Sequence, residues 1–356
     1  MTIPLSILDL ASVSPGESIT EGYAASVALA QTAEKHGYRR VWFAEHHNMP
    51  TIASSATAVL VGHIAGQTTT IRVGSGGIML PNHSPLVIAE QFGTLETLYP
   101  GRIDLGLGRA PGSDQVTARA MRRPATSSDQ FPQDVRELQG YLSGDSLVPG
   151  VQAVPGAGTN VPLYILGSSL FGAQLAAAYG LPYAFASHFA PDALVDAVSI
   201  YRRDFQPSEQ LALPHVIAAV NVIAADDADD AANQFAITRR ARVRMMITRA
   251  PDAPNYTDEQ IDAFILTPSG ERLASMMKYS AVGNAAGVRD YLNDFATLSQ
   301  ADELIIAHQS RTVADRLRSV ALTAEVMGAE PVAAELATSE LATAKLATAK
   351  LATSVR

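Results

Sequence analysis

The sequence predicts an α/β fold: a (β/α)8 TIM barrel with insertions at the C-terminal face of its strands and a repeat tail at the C-terminus. Two observations carry this reading. Short apolar runs alternate with longer segments of helical period, and eight successive βα units point to a closed parallel barrel more strongly than to an open sheet. Between residues 71 and 110, two apolar strands bracket one amphipathic helix, and each strand ends in glycines followed by a polar group. That is the pattern of a βαβ unit presenting a ligand site at its strand ends. The length of 356 residues, 47% of them hydrophobic, allows a large core and suits a barrel built as one domain. A doubly wound open sheet is the alternative reading of the same alternation.

Taken in order, the first strand covers residues 5–11. The helix over 20–36 follows, with Tyr23, Val27, Ala30 and Ala33 on one face and Gly37 as its stop signal. Then come a strand over 40–44, a helix over 54–67, a strand over 71–80, a helix over 85–98 and a strand over 102–108. The second half repeats the rhythm: strand 163–166 with helix 170–179, strand 183–187 with helix 192–205, strand 215–225 with a helix after Asp226, and strand 303–307 with helix 312–327. Three segments interrupt it. Residues 111–132, polar with Gly112 and Pro124, read as a long loop; residues 146–162, rich in Gly, Pro and Val, as a short hairpin; and residues 249–278 as an insertion expected to close over substrate.

The domain reading is one barrel over residues 1–330 and a low-complexity tail over 331–356. From Glu335 the chain repeats every five residues, placing Leu336, Leu341, Leu346 and Leu351 at ~140° steps around a helix, so no single face can bury them. The tail reads as a frayed helix or a disordered appendage.

The net charge of -9, with no basic cluster beyond residues 239–249, excludes nucleic acid and anionic membranes as expected partners. Small molecules are the expected ligands. With no cysteine, disulfides, thiolate nucleophiles and cysteine-ligated metals are excluded. The N-terminus has no basic n-region and no apolar run approaches the ~20 residues of a bilayer span, so a soluble, cytoplasmic protein is expected.

Glu45, His46 and His47 follow an apolar strand and sit where a barrel strand reaches its reactive end. A histidine there can act as a general base, and of two adjacent histidines on a strand only one can face the barrel mouth. One packed and one solvated histidine would read the same way. No H-E-x-x-H or third clustered ligand accompanies them, so no metal site is expected. The run Gly74-Ser75-Gly76-Gly77 lies inside a strand, where glycines imply either a close approach by another group, such as a flat ring, or a bulge. Gly106-Leu107-Gly108 has the outline of a dinucleotide signature, but Pro111 interrupts the helix that a phosphate cradle would need. Arg109 at a strand end matches phosphate oxygens, and Ser168 and Ser169 at a helix start add donors, together a plausible phosphate site.

The stretches A-E-H-H-N, V-G-S-G-G-I-M-L-P-N-H-S-P, A-E-Q-F-G-T-L and P-G-R-I-D-L-G-L-G-R-A-P-G-S-D together resemble the bacterial luciferase-like, flavin-dependent monooxygenases, in their single-chain branch. The resemblance runs from residue 1 to about residue 327, densest over 39–115. It implies an active-site histidine at His46, a non-prolyl cis peptide under the isoalloxazine ring at Gly76-Gly77, and phosphate-binding residues at Arg109 and Ser169, with Arg119 as a further match. His188, at the end of the sixth strand, is placed on the substrate side as a second candidate catalytic residue. The reactive cysteine of light-emitting members is replaced by Gly108, so bioluminescence is not expected. The activity implied is that of a two-component monooxygenase. A separate reductase would supply reduced FMN, O2 would be the co-substrate, and a C4a-peroxyflavin would oxygenate an aldehyde, a ketone or an aromatic polyketide. A homodimer packed through the helices after the second and third strands is the family expectation, and the small residues around Ser54, Ala56, Ala58 and Gly62 would permit such contact or equally pack on the barrel. The alternatives are hydride transfer with the deazaflavin F420 and a non-catalytic flavin-binding protein.

Overall fold

The computed structural model describes residues 3–14, 16–110, 112–124, 126–248 and 254–330. The repeat from Glu335 onward lies outside them. Eight parallel strands close into a barrel: β1 (Leu5–Asp9), β2 (Arg40–Phe43), β3 (Arg72–Met79), β4 (Ile103–Gly108), β5 (Leu163–Gly167), β6 (Tyr183–Phe185), β7 (Val216–Ala224) and, last in sequence, β9 (Glu303–His308). Neighbours in sequence are neighbours in the sheet. The ring closes where Ile7 of β1 lies opposite Ile306 of β9 and Ile217 of β7 opposite Glu303. Most of these strands are buried along their whole length because helices cover one face and the barrel interior the other, which is why they read as apolar runs rather than alternating ones.

The helices alternate with the strands: α1 (Ile19–Lys35), α2 (Thr57–Ala65), α3 (Pro85–Leu98), α4 (Gln115–Ala120), α5 (Phe131–Ser143), α6 (Leu170–Tyr179), α7 (Leu194–Asp204) and α8 (Ala228–Ile247). After them come α9 (Asp258–Ile265), α10 (Pro268–Ala274), α11 (Ala285–Ser299) and α12 (Val313–Met327). Several start where the sequence supplies a cap. Ser18 and Glu21 form a reciprocal capping box on α1, and the side chains of Asp227 and Thr312 accept first-turn N–H groups of α8 and α12. The main core fills the space between barrel and helices. A smaller one fills the barrel itself: Leu8, Trp42, Ala44, Tyr164, Ala184, Ile217, Ala219 and Ile305.

Beneath that inner cluster the barrel carries charge. The Arg40 guanidinium, 1% exposed, bonds Asp104 Oδ2 and the Tyr164 hydroxyl at 2.7 Å each and pairs with Glu303 at 2.9 Å. Asp104 also accepts from Arg72 at 2.6 Å and from Trp42 Nε1 at 3.0 Å, and Glu303 accepts from the Ser6 hydroxyl. Each buried charge therefore has partners on other strands, those of Arg40 reached across the barrel interior, the condition for tolerating it.

Three expectations need correction. Residues 146–162 form no hairpin: they run as turns, with prolines 149, 155 and 162 lacking the N–H a strand pair needs, and they pack on α3 instead. A Cβ on Gly93 would stand 2.3 Å from the Gly156 Cα, so helix and loop touch backbone to backbone. Within 111–132, the polar segment read as loop contains α4, capped by Asp114 accepting from the Thr117 N–H at 2.8 Å. Between β7 and the last barrel strand lies an unforeseen strand, β8 (Ser280–Gly283), followed by α11. Because β6 is only three residues long and pairs with residues 216–218 of β7, residues 221–224 of β7 are left free to pair with β8.

Candidate active site

The C-terminal ends of the barrel strands open into a cavity of about 530 Å3, within the ~300–1,000 Å3 usual for a small-molecule or cofactor site. Its floor is the inner barrel cluster, Leu8, Trp42, Ala44, Ala184, Ala219 and Ile305. Around it stand Met49, Ile52, Met79, Phe131, Phe171 and Phe189; Arg242, Met245 and Met246 come from α8, and Met276 from the insertion over residues 249–278. His46, Gly76, Gly108, Arg109, Ser168, Ser169 and His188 also line it.

Strand β3 shapes one wall through its glycines. The Gly76-Gly77 peptide is cis, as the resemblance implies, and lies where the β3–β4 register shifts between Ser75 and Ile78. A Cβ on Gly76 would lie 2.9 Å from both Leu8 and Trp42, and one on Gly77 would lie 2.7 Å from the Gly106 carbonyl oxygen. Gly77 itself is not on the cavity lining, whereas Gly76 is.

Just beyond β2, Glu45 is 1% exposed and organises the mouth. It accepts from His47 Nε2 at 2.9 Å, from His83 Nε2 at 2.9 and 3.0 Å, and from the Met79 N–H at 3.0 Å. Burial alone would raise its carboxyl, but the bonds from His47 and His83 and the Met79 amide hold it at about 2. Of the paired histidines, His47 thus turns to Glu45 and His46 turns into the cavity. His46 Nδ1–H donates to the Gly112 carbonyl at 3.3 Å, which leaves Nε2 as the nitrogen with a free lone pair. Burial pushes the His46 imidazole below its ordinary pKa, more than the Gly112 bond and the Glu45 charge restore.

His188 follows β6, which ends earlier than the sequence suggested, at Phe185. Burial, with the charges of Arg242 and His46, pushes it down to about 3, so it is neutral at pH 7. Its Nδ1 has no hydrogen-bond partner among the described residues, while its carbonyl accepts from the Asn221 amide at 2.8 Å.

On the rim, the Arg109 guanidinium stacks over the Phe171 ring at 4.0 Å and makes no ion pair among the described residues. Ser169 is the N-cap of α6 with extended backbone, yet its hydroxyl does not cap the helix, so the first-turn N–H groups keep their donors for a ligand. Arg119 is elsewhere: it is exposed on α4, its Nε reaches back to the Gln115 carbonyl at 3.3 Å, and it does not line the cavity. Sequence reasoning did not single out Glu45 as the hub or His83 as its partner, although both lie inside quoted motifs. It also missed Arg242, which a run of four arginines between residues 239 and 244 conceals.

The model of the luciferase-like monooxygenase family matches residues 3–320. Over 326 residues the chain is 48% identical to a protein of Escherichia coli (strain K12) named luciferase-like monooxygenase, a match covering 91% of this chain and 97% of that one. The crystal structure of apo-MsnO8 superposes with a TM-score of 0.82 at 35% identity, over 92% of this chain and 99% of the other. The fold alone is shared with the oxygenating constituent of 3,6-diketocamphane monooxygenase from the CAM plasmid of Pseudomonas putida, solved in complex with FMN. There the TM-score is 0.65 at 15% identity, over 91% of this chain and 97% of that one. Among the described residues no helix is long and apolar enough to cross a membrane.

Proposed function

The chain belongs to the luciferase-like monooxygenase family, whose members use FMN for oxygenation, and we propose that it is the oxygenating component of a two-component system. In this reading it takes FMN already reduced by a separate flavin reductase and uses O2 to oxygenate an apolar organic substrate. One observation carries the reading. A largely apolar cavity holds two neutral imidazoles inside and a cationic, donor-rich rim at Arg109, Ser168 and Ser169.

The residues present fit the cofactor. Arg109 and the hydroxyls of Ser168 and Ser169, beside the open first turn of α6, suit a phosphate, and Gly76 and Gly108 leave backbone bare where a flat ring needs room. When bound, reduced FMN supplies the two electrons that send one oxygen atom of O2 to substrate and the other to water. His46 holds or moves a proton at Nε2, its ring fixed by the Gly112 carbonyl. The lining of Leu, Met, Phe and Trp side chains excludes water from the reacting centre. Met276 brings the insertion over residues 249–278 to the cavity, next to Met245 and Met246 of α8, in keeping with a segment that closes over substrate. The functional unit is residues 1–330, working as a homodimer through the α2 and α3 side, where Val59 is 74% and Leu98 63% exposed.

Anaerobic titration with reduced FMN, followed by mixing with oxygenated buffer, tests this. The wild type is expected to bind reduced FMN and to delay the return of oxidised-flavin absorbance relative to free flavin. Replacing Arg109 by Ala should weaken binding ~10–150-fold, the equivalent of losing ~1.5–3 kcal/mol in a charge-assisted hydrogen bond, and His46→Ala should shorten the delay. Reoxidation at the rate of free flavin, or binding of F420 in place of reduced FMN, overturns the reading.

A further inference from the structure

We propose that Arg242 is the specificity-determining residue of the cavity and that the substrate is an apolar molecule carrying a carboxylate, which Arg242 binds. The inference rests on the substrate cavity identified above. Helix α8 carries arginines at 240, 242 and 244 that face two ways. Arg240 forks onto Asp262 of α9 with two bonds of 2.7 Å, and Arg244 bonds Asp258 at 2.6 Å, so positions i and i+4 are paired outward. Arg242, two residues from each, points the other way and lines the cavity together with Met245 and Met246.

Among the described residues Arg242 has no carboxylate partner, and its Nε is shielded from solvent without a hydrogen bond. The arginines of the barrel interior are handled differently: the buried Arg40 and the half-buried Arg72 both contact Asp104. The titratable groups that feel the Arg242 charge are His46 and His188, both of which it pushes toward the neutral form. A guanidinium and two uncharged imidazoles therefore converge on one apolar space that no acid lines among the described residues. Desolvating a cation without a counter-ion is costly, and a planar guanidinium with free donors is matched by a carboxylate in two parallel hydrogen bonds. The phosphate-suited groups stand in another sector, Arg109 after β4 and the two serines between β5 and α6, whereas Arg242 arrives from the helix after β7. The rest of the lining, with Met245, Met246, Met276 and Phe189, suits the hydrocarbon part of such an acid.

The test is calorimetric titration of the full chain, flavin-free and with oxidised FMN, using hexanoate against its neutral counterpart hexanamide. FMN affinity is measured separately by equilibrium dialysis. The wild type should prefer hexanoate by ~10-fold or more, the effect of a charge-assisted hydrogen bond. Arg242→Met should abolish the preference while FMN affinity holds, Arg242→Lys should retain part of it, and Arg109→Ala should leave it intact. Equal affinity for acid and amide, binding of neither, or an acid preference that survives in Arg242→Met overturns the proposal. So does a loss of FMN affinity in Arg242→Met without loss of acid preference, which would assign Arg242 to the cofactor. Failure of the wild type to bind FMN would strike the cofactor reading alone, because the acid preference is also read on flavin-free protein.

Discussion

Replacing Arg40 by Met should destabilise the barrel without removing any group from the cavity lining. Arg40 is buried under Trp42 and Tyr164 and compensates two carboxylates, Asp104 at 2.7 Å and Glu303 at 2.9 Å. Breaking a buried pair by deleting one partner costs ~3–5 kcal/mol. Asp104 keeps Arg72 at 2.6 Å, and Glu303 keeps His215 at 3.4 Å, which places the expected loss toward ~3 kcal/mol. At ~2.1 cal/mol/K per residue, ~330 folded residues give an unfolding entropy near ~0.7 kcal/mol/K, so a loss of ~3 kcal/mol should lower Tm by ~4 °C. The loss should also depend on pH. Burial alone would raise the Glu303 carboxyl, but Arg40, His215, Ser6 and Arg39 hold it at about 2. A depressed carboxylate contributes stability above its unfolded pKa of ~4.3 and loses it as pH falls toward the folded value. Without Arg40 the folded pKa rises toward the unfolded one, so the stability lost on acidification becomes smaller and its low-pH end moves to higher pH. Urea unfolding at neutral pH and across the acid range measures both effects. An Arg40→Met protein within ~1 kcal/mol of wild type, with an unshifted acid limb, would refute the reasoning, because surface-like substitutions stay inside that margin.

Three further outcomes are expected. His188 and His308 are both pushed down to about 3 by burial, so each is neutral when folded and protonates on unfolding. Stability should therefore fall by ~1.4 kcal/mol per pH unit for each as pH drops below ~6.5, and His308→Gln should remove about half of that slope in urea titrations at successive pH values. Gly106→Ala places a Cβ 2.3 Å from the Ser75 carbonyl oxygen, and should cost more than ~3 kcal/mol or leave no soluble protein, as soluble yield and thermal unfolding would show. Truncation after Ala334 should leave folding and flavin binding intact, since the five-residue repeat offers no face to bury; loss of either on circular dichroism or flavin titration would count against that domain boundary.

The eight barrel strands were legible because strands buried on both faces leave apolar runs in the chain, and the motif at residues 44–48 was legible because polar groups gather at strand ends. The strand over 280–283 was not. It exists only because β6 stops after three residues and leaves part of β7 unpaired, a fact of register that no local pattern encodes. The same holds for residues 146–162, where glycine and proline signalled a turn but only the approach of Gly156 to Gly93 decided that it packs on a helix.

The site divides along the same line. Local sequence determined which residues sit at strand ends: His46, Gly76, Arg109, Ser168 and Ser169 are within or next to strands whose position follows from hydrophobic pattern. Tertiary structure alone decided which way they face. It turned His46 inward and His47 to Glu45, left Arg119 on an exposed helix, and brought His188 to the lining beside an arginine from α8. The reason is physical. Periodicity records how often a residue is shielded from water, whereas a charge on a helix is shielded or solvated according to what distant segments bring against it. Arg240, Arg242 and Arg244 look alike in sequence and differ because α9 supplies acids to two of them, whereas among the described residues the barrel mouth supplies none to the third.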